Sequence, residues 1–393
     1  MLTGEFKMRP FGKVIFGPGT ATEKVAEEVN RLGARSVLIV TGKTLAHKTD
    51  LVHRVKAALG SACTGVFSDA AAHVPSNTVL AGARMAQDLG ADALVVVGGS
   101  SAVDTAKGIA LVVAEGPALD DLRVKFEPPD RWIAPPLLKP KMPIVAIPTT
   151  LSGGEYRYRA GITDVSTQVK EPYEDDKLTP RVVILDPQMT VATGQELWAG
   201  TCLKTLCDCV EMVCSTRHQP YSDALCTFAV ETIFHDLPLS VSEPLDLAAR
   251  GRIQHTPLMA ASVVSAVGGG LAAGLRHRLG GLLTANHGVI SSIVFPHVLE
   301  FNRTYAADRL ALIARSAGLD VRGQSPDDAA QAVIAAVRAI IREMGLPTRL
   351  RDIGMRQEDL EPVARDAAAD RAARTNPRPF DERQVLELLV NAY

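Results

Sequence analysis

Val95-Val96-Val97-Gly98-Gly99-Ser100-Ser101-Ala102-Val103-Asp104-Thr105-Ala106-Lys107 is the stretch whose reading decides the fold. Residues 94–97 form a continuous, mostly β-branched apolar run, the pattern of a strand buried on both faces of a parallel sheet. Gly98 and Gly99 then permit a sharp turn and a close approach of ligand to backbone. Ser101 and Asp104 have the spacing of a capping box opening the next helix. The first turn of a helix presents free N–H groups, so a strand, a glycine turn and a helix N-terminus together can hold a phosphate. The fuller G-x-G-x-x-G fingerprint is absent, and the turn taken alone also fits an ordinary strand-to-helix connection.

Outward from this turn, the chain alternates short apolar runs with helical patterns from residue 36 to 187. Strands are expected at 36–41, 64–68, 93–97, 144–147 and 181–185, with helices such as 79–89 and 102–113 between them. The order predicts a doubly wound sheet. A proline-rich connection at 115–141, with Pro128-Pro129 and Pro135-Pro136, fits neither regular helix nor a central strand and reads as a surface excursion. Past Pro187 alanine- and leucine-rich segments with helical period take over, for example 223–234, 305–317 and 326–344. The change of period divides the chain into an α/β part, 1–190, and an all-α part, 191–393, and a length of 393 residues also favours two domains.

Apolar residues at 47% and charged residues at 22% describe a globular protein with a real core. A formal charge of −2 provides no global field for nucleic acid or an anionic membrane, which points to a small-molecule partner. No leader-like apolar stretch stands at the N-terminus and no run of eighteen apolar residues follows, so a cytoplasmic location is expected. Cys63, Cys202, Cys207, Cys209, Cys214 and Cys226 include no CxxC pair, and they read as buried, reduced, small apolar residues.

Three further motifs accompany the glycine turn. Pro148-Thr149-Thr150 follows a strand, Asn286-His287-Gly288 opens a helix reaching Phe295-Pro296-His297, and Thr375-Asn376-Pro377-Arg378-Pro379 lies near the C-terminus. With these the chain resembles the iron-containing alcohol dehydrogenase family over nearly its whole length, from Phe16-Gly17-Pro18-Gly19 to the last helix. Within that family it looks most like the maleylacetate reductase branch, on His73-Val74-Pro75 and on the short spacing from Pro148-Thr149-Thr150 through Leu151-Ser152-Gly153-Gly154 to Glu155. The resemblance implies the dehydroquinate synthase-like fold: an N-terminal α/β dinucleotide-binding domain, a helical C-terminal domain and a catalytic cleft between them. It implies NAD(H) or NADP(H) at Gly98, Gly99, Ser100, Asp104, Lys107, Thr149, Thr150, Ser152 and Lys170, and a homodimer.

The same resemblance shows where the chain departs from its relatives. The alcohol dehydrogenases hold a divalent ion with an aspartate, a histidine four residues later and two further histidines. Here those positions carry Lys204, Asp208, Ala273 and His287. An ammonium has no lone pair for a cation, so no catalytic metal is expected. Ala273 also departs from the reductase branch, which generally keeps histidine there. Lys204 and Asp208, four apart on a helix, can pair. Their pair either serves the cleft, where the lysine polarises a carbonyl or holds a carboxylate, or is a structural pair alone.

For the chemistry, His277 matches a histidine that the family keeps near the nicotinamide and is the expected proton donor, since an imidazole titrates near neutrality; a packing role is the alternative. His287 at a helix start is expected to stay neutral and orient substrate. His73 either contacts substrate or serves its loop. Tyr156, Arg157, Tyr158 and Arg159 read as an alternating strand that sends one pair toward a substrate carboxylate. Gly42, Lys43 and Thr44 follow the first strand without an acidic residue to select the ribose hydroxyls, so either nucleotide fits. The expected reaction is the metal-independent, NAD(P)H-dependent reduction of a small oxo acid such as maleylacetate. The alternatives are a non-redox enzyme or a nucleotide-binding protein without turnover on the same scaffold.

Overall fold

The computed structural model describes residues 12–127 and 131–393; the N-terminal stretch read for a leader, and Pro128-Pro129, lie outside them. The described residues form two compact units that divide between Ala192 and Thr193.

The first unit is α/β. Its strands are β1 (Lys13–Phe16), β2 (Val37–Thr41), β3 (Cys63–Phe67), β4 (Ala93–Gly98), β5 (Lys125–Glu127), β6 (Arg131–Ile133), β7 (Ile144–Pro148), β8 (Arg159–Thr163), β9 (Lys170–Glu174) and β10 (Val182–Leu185). Its helices are α1 (Thr20–Arg31), α2 (Lys43–Lys48), α3 (Leu51–Leu59), α4 (Ser76–Asp88), α5 (Ser100–Glu115) and α6 (Leu119–Leu122). Six strands make one parallel sheet in the order β1-β10-β7-β4-β2-β3, while β5–β6 and β8–β9 are separate antiparallel pairs. Strand order reverses between β2 and β4, and the crevice outside their carboxyl ends is where such sheets bind ligands.

Strand β4 shows why the opening stretch reads as it does. Successive side chains point to opposite faces. Leu94 and Val96 pack with Val79, Ala83, Val103 and Ile109 of α4 and α5, whereas Val95 and Val97 pack with Val25, Val29, Val52 and Val55 of α1 and α3. Both faces are covered, so the strand is apolar throughout. The proline-rich connection is a short helix and the largely exposed β5–β6 ribbon.

Three local expectations change. Helix α5 starts at Ser100 with Gly99 as its N-cap and no side-chain cap. Ser101 therefore lies inside the first turn, and the Asp104 carboxylate instead accepts the Gly161 N–H at 3.2 Å; the double glycine starts the helix earlier than a capping box would. The Tyr156–Arg159 segment is not an alternating strand: Gly154–Tyr156 is a 3-10 turn, and β8 begins only at Arg159. The cause is Lys107. Fully buried, its ammonium donates to the carbonyls of Gly154 (2.7 Å), Arg157 (2.7 Å) and Arg159 (2.9 Å), which curls that segment around it. These bonds engage all three ammonium hydrogens, so Lys107 braces the loop to α5 and has no hydrogen to give a phosphate. Burial draws its pKa down to about 8, against the pull of Asp104.

The second unit is helical: α7 (Gln195–Cys214), α8 (Pro220–Ser242), α9 (Leu247–Ile253), α10 (Thr256–Val267), α11 (Leu271–Leu282), α12 (His287–Asn302), α13 (Ala307–Ser316), α14 (Pro326–Glu343), α15 (Leu360–Ala368) and α16 (Glu382–Ala392). Helix α7 is its axis, buried along most of its length, and Cys202, Cys207, Cys209 and Cys214 on it are free and buried, as is Cys226 on α8. Among the described helices α8 is long and apolar enough to cross a membrane, yet it packs on α7, α9 and α10 and carries a buried Asp236 bound by Arg252 at 2.7 and 3.0 Å. Helices α7 and α12 touch through glycines: a Cβ on Gly288 would lie 2.2 Å from the carbonyl carbon of Gly200.

Replacing Lys107 with methionine strands three carbonyls and is expected to destabilise the protein by about 3 kcal/mol or more, read by urea unfolding. Gly288→Ala sets a side chain against backbone that cannot swing aside. It is expected to lower the melting temperature by roughly 10 °C or to abolish folding.

Candidate functional site

The first unit gathers most of its expected nucleotide residues at the N-terminus of α5. The Thr149 N–H donates to the Gly98 carbonyl at 3.1 Å, and the Thr150 and Ser152 hydroxyls bond each other at 2.9 Å. The approach is close enough to require glycine. A Cβ on Gly99 would lie 2.9 Å from Thr150 Oγ1, and one on Gly154 would lie 3.1 Å from Ser100 Cβ. Gly98, Gly99, Ser100, Thr149, Thr150 and Ser152 thus surround one helix N-terminus. Asp104 and Lys107 lie farther along α5 and fasten β8 and the 3-10 turn. Lys170 on β9 crosses β8 where Gly161 leaves room, since a Cβ there would meet Lys170 Cε at 2.3 Å.

A cavity of about 650 Å³ opens beyond the ends of β2 and β3, lined by Gly42, Lys43, Thr44, Leu45 and Asp69 among others. Leu45 also lies 3.7 Å from where a Gly98 Cβ would stand, so the cavity adjoins the glycine turn. Lys43 and Asp69 pair at 3.3 Å with both side chains largely exposed. The chemistry matches a nucleotide: a helix start for phosphate and a roomy, mixed polar cavity for the remainder.

His73 and Val74 have φ of 61° and 58°, in the left-handed region that a β-branched valine strongly disfavours. Thr163 holds this corner, donating its hydroxyl to the His73 carbonyl at 2.6 Å and its N–H to the Val74 carbonyl at 2.9 Å. Tyr156 is buried, which pushes its phenol well above the ordinary range. The Arg157 carbonyl accepts from Lys107.

The second unit brings Lys204, Asp208 and Arg276 together. Lys204 Nζ lies 2.7 Å from Asp208 Oδ2, and Asp208 Oδ1 lies 2.7 Å from Arg276 Nη2. Arg276 Nη1 donates to Ser291 Oγ at 3.0 Å, and that hydroxyl donates to the His287 carbonyl at 2.8 Å. The network joins α7, α11 and α12. Side-chain exposure is 5% for Arg276, 8% for Asp208 and 16% for Lys204, so this is no solvated surface pair. Burial opposes the charge on Arg276, but Asp208 beside it outweighs burial and holds the guanidinium above its usual range.

Glu211, one turn along α7, turns to the start of α11 and accepts the N–H groups of Ala272 (2.7 Å) and Ala273 (3.1 Å). Burial raises its pKa to about 7 against Arg276 and these donors. Gly270 makes the room, because a Cβ there would lie 2.3 Å from Glu211 Oε1. His277, half exposed, places Nδ1 at 3.3 and 3.4 Å from the Asp370 oxygens, and Arg278 approaches the same carboxylate at 3.3 Å. Burial raises the Asp370 pKa, and the His277 hydrogen bond and charge more than reverse it. An Nδ1–H donated to Asp370 leaves Nε2 to exchange a proton. His287 opens α12, whose N-cap Asn286 accepts from Gly288 and Val289 at 2.9 and 3.0 Å.

The donor set does not fit a divalent ion. Lys204 presents an ammonium to the Asp208 carboxylate, Ala273 offers no donor, and no group of three His, Cys, Asp or Glu among the described residues could hold a metal. Arg276, Ser291, Glu211 and Asp370 are the site residues that sequence reasoning missed. Arg276 precedes His277 and Arg278, and three polar residues in succession give no sign that the first of them is buried against a distant carboxylate.

Comparison with known proteins accounts for both units. The family described as iron-containing alcohol dehydrogenase matches residues 12–187, and the one described as Fe-containing alcohol dehydrogenase family, C-terminal, matches 198–393. The chain is 32% identical over 381 residues to the NAD-dependent methanol dehydrogenase of Bacillus methanolicus, covering 96% of this chain and 97% of that protein. It is 30% identical over 381 residues to maleylacetate reductase 1 of Cupriavidus pinatubonensis, covering 97% and 95%. A solved 1,3-propanediol oxidoreductase superposes with a TM-score of 0.90 at 28% identity, covering 99% of this chain and all of that one.

Glu211 sets a pH dependence. Its folded pKa of about 7 exceeds its ordinary 4.5, so stability is full below the lower value and falls as pH rises through the upper one, by at most about 3 kcal/mol. Urea unfolding at pH 5 and 7.5 is expected to show that Glu211→Gln costs less at the higher pH.

Proposed function

The chain belongs to the iron-containing alcohol dehydrogenase family and is an NAD(P)-dependent oxidoreductase, and on that premise we propose that it reduces a small oxo acid, maleylacetate foremost, without a metal. The observation that carries this reading is the Lys204–Asp208–Arg276 network, which fixes side-chain cations at Lys204 and beside Asp208, two of the positions where the resemblance leads one to expect metal ligands.

A dihydronicotinamide bound at the glycine turn would supply the hydride. The hydride forms the new C–H bond at the carbonyl carbon, the π pair moves onto oxygen, and that oxygen takes a proton. Lys204 answers the charge developing on oxygen, the electrostatic task that a Lewis acid performs elsewhere. His277 is the proton donor, with Asp370 holding its tautomer. His287 orients substrate and His73 supports its binding. The third ligand position is filled by Ala273, whose N–H donates to Glu211 at 3.1 Å and whose side chain offers no donor to an ion. The cavity beside Gly42 carries both Lys43 and the Asp69 carboxylate, a cation for a 2′-phosphate and an acceptor for a ribose 2′-hydroxyl, which supports use of NADPH as well as NADH.

Lys204→Met is expected to lower kcat/KM for maleylacetate by about 100-fold or more while nucleotide affinity stays within about twofold. Dialysis against a chelator is expected to leave the wild-type rate unchanged. Undiminished turnover in the variant, or a rate lost on chelation and restored by iron or zinc, would defeat the reading.

A further inference from the structure

The cavity beyond the ends of β2 and β3 is lined by two charged residues, Lys43 and Asp69, which face each other at 3.3 Å among neutral neighbours such as Thr44, Phe67 and Thr78. An ion pair this exposed adds little to stability, so its place in the cavity matters more than its strength. In a doubly wound sheet the acid that accepts from a ribose 2′-hydroxyl stands at the carboxyl end of the strand beside the glycine-turn strand. Here that strand is β2, which pairs with β4 along its whole length, and the residue after it is Gly42. The loop after β3 closes over this glycine. The Ala70 N–H donates to the Thr41 carbonyl at 3.1 Å, and the Thr41 hydroxyl donates to the Val97 carbonyl of β4 at 2.8 Å. A Cβ on Gly42 would stand 3.2 Å from the Ala70 carbonyl oxygen. The loop thus crowds the space that a side chain on Gly42 would need, and it carries Asp69 to the end of β2, against Lys43.

We propose that Asp69 is the residue that sets nucleotide choice: its carboxylate, supplied by the loop after β3 in place of one at the end of β2, accepts the ribose 2′-hydroxyl of NAD(H) and opposes NADP(H), whose 2′-phosphate must take Lys43 from it. This rests on the reading above only in that a nicotinamide nucleotide fills the cavity. With NADH the Lys43–Asp69 pair stays intact, and the carboxylate keeps an oxygen for the hydroxyl. With NADPH a phosphate and a carboxylate of the same sign compete for one ammonium. Both nucleotides are accepted, and NADH is the better of the two.

Titration of nicotinamide fluorescence with NADH and with NADPH reads both affinities without any substrate. Asp69→Asn is expected to strengthen NADPH binding by about tenfold and to weaken NADH binding by about threefold, which reverses the preference. Lys43→Met is expected to weaken NADPH by about tenfold and to leave NADH within about threefold. Both side chains are largely exposed, so both variants are expected to fold, with melting temperatures within about 3 °C of wild type. ADP-ribose and its 2′-phosphate, titrated by calorimetry, are expected to follow the same order, which assigns the effect to the ribose end of the nucleotide. A ratio of NADPH to NADH affinity that moves by less than about twofold in Asp69→Asn, or moves toward NADH, overturns the proposal, as does a wild-type protein that binds neither nucleotide. If the ratio shifts as expected while no oxo acid is reduced, the substrate reading fails and the role of Asp69 stands. If maleylacetate is reduced and the ratio does not move, the substrate reading stands and the role of Asp69 fails.

Discussion

The helical unit is organised around one carboxylate held between two cations. Asp208 meets Lys204 on its own helix and Arg276 on α11, and through Ser291 the arginine reaches α12. Buried ionic groups offset their desolvation only when geometry is good and the remaining donors are satisfied. Here both carboxylate oxygens accept, at 2.7 Å each, and the guanidinium has a second acceptor at 3.0 Å. Such distances depend on the backbones beneath them. The Gly200–Gly288 contact lets α7 and α12 approach more closely than any side chain would allow, and the glycine at position 270 makes space for the Glu211 carboxyl at the start of α11.

The α/β unit solves a different problem with similar means. Its sheet is apolar on both faces, so polar chemistry is confined to the strand ends. At those ends the loop after β7 comes down onto Gly98 and Gly99, and Lys107 gathers the next segment around its ammonium. A buried lysine thereby replaces the hydrogen bonds that an irregular segment lacks.

Much of this was readable from residue order. The five strands anticipated in the sheet appear within a residue or so of their expected limits, because β-branched runs between glycine and proline admit little else. The helical half and its buried cysteines were equally plain. So was the Lys204–Asp208 pair, whose partners stand four apart on one helix. What escaped were contacts between distant segments. Arg276 is 68 residues from Asp208 and His277 is 93 from Asp370, and no local pattern links them. The Tyr156–Arg159 segment misled for a related reason: its alternation is that of a strand, but the Lys107 ammonium forty-seven residues away from Gly154 overrides it. Ser101 and Asp104 carry a capping box in sequence alone, because two preceding glycines let the helix begin sooner.

Helix α5 thus begins bare, with glycine where a serine or aspartate would ordinarily close its first turn. An anion that settles there is the missing cap, and the folding of that turn and the filling of the nucleotide site become one equilibrium. A cofactor bound there as proposed would add stability in proportion to the logarithm of its concentration, about 2.7 kcal/mol at a hundredfold excess over Kd. On the proposed reading, the turn that would admit the nucleotide would also be stabilised by it.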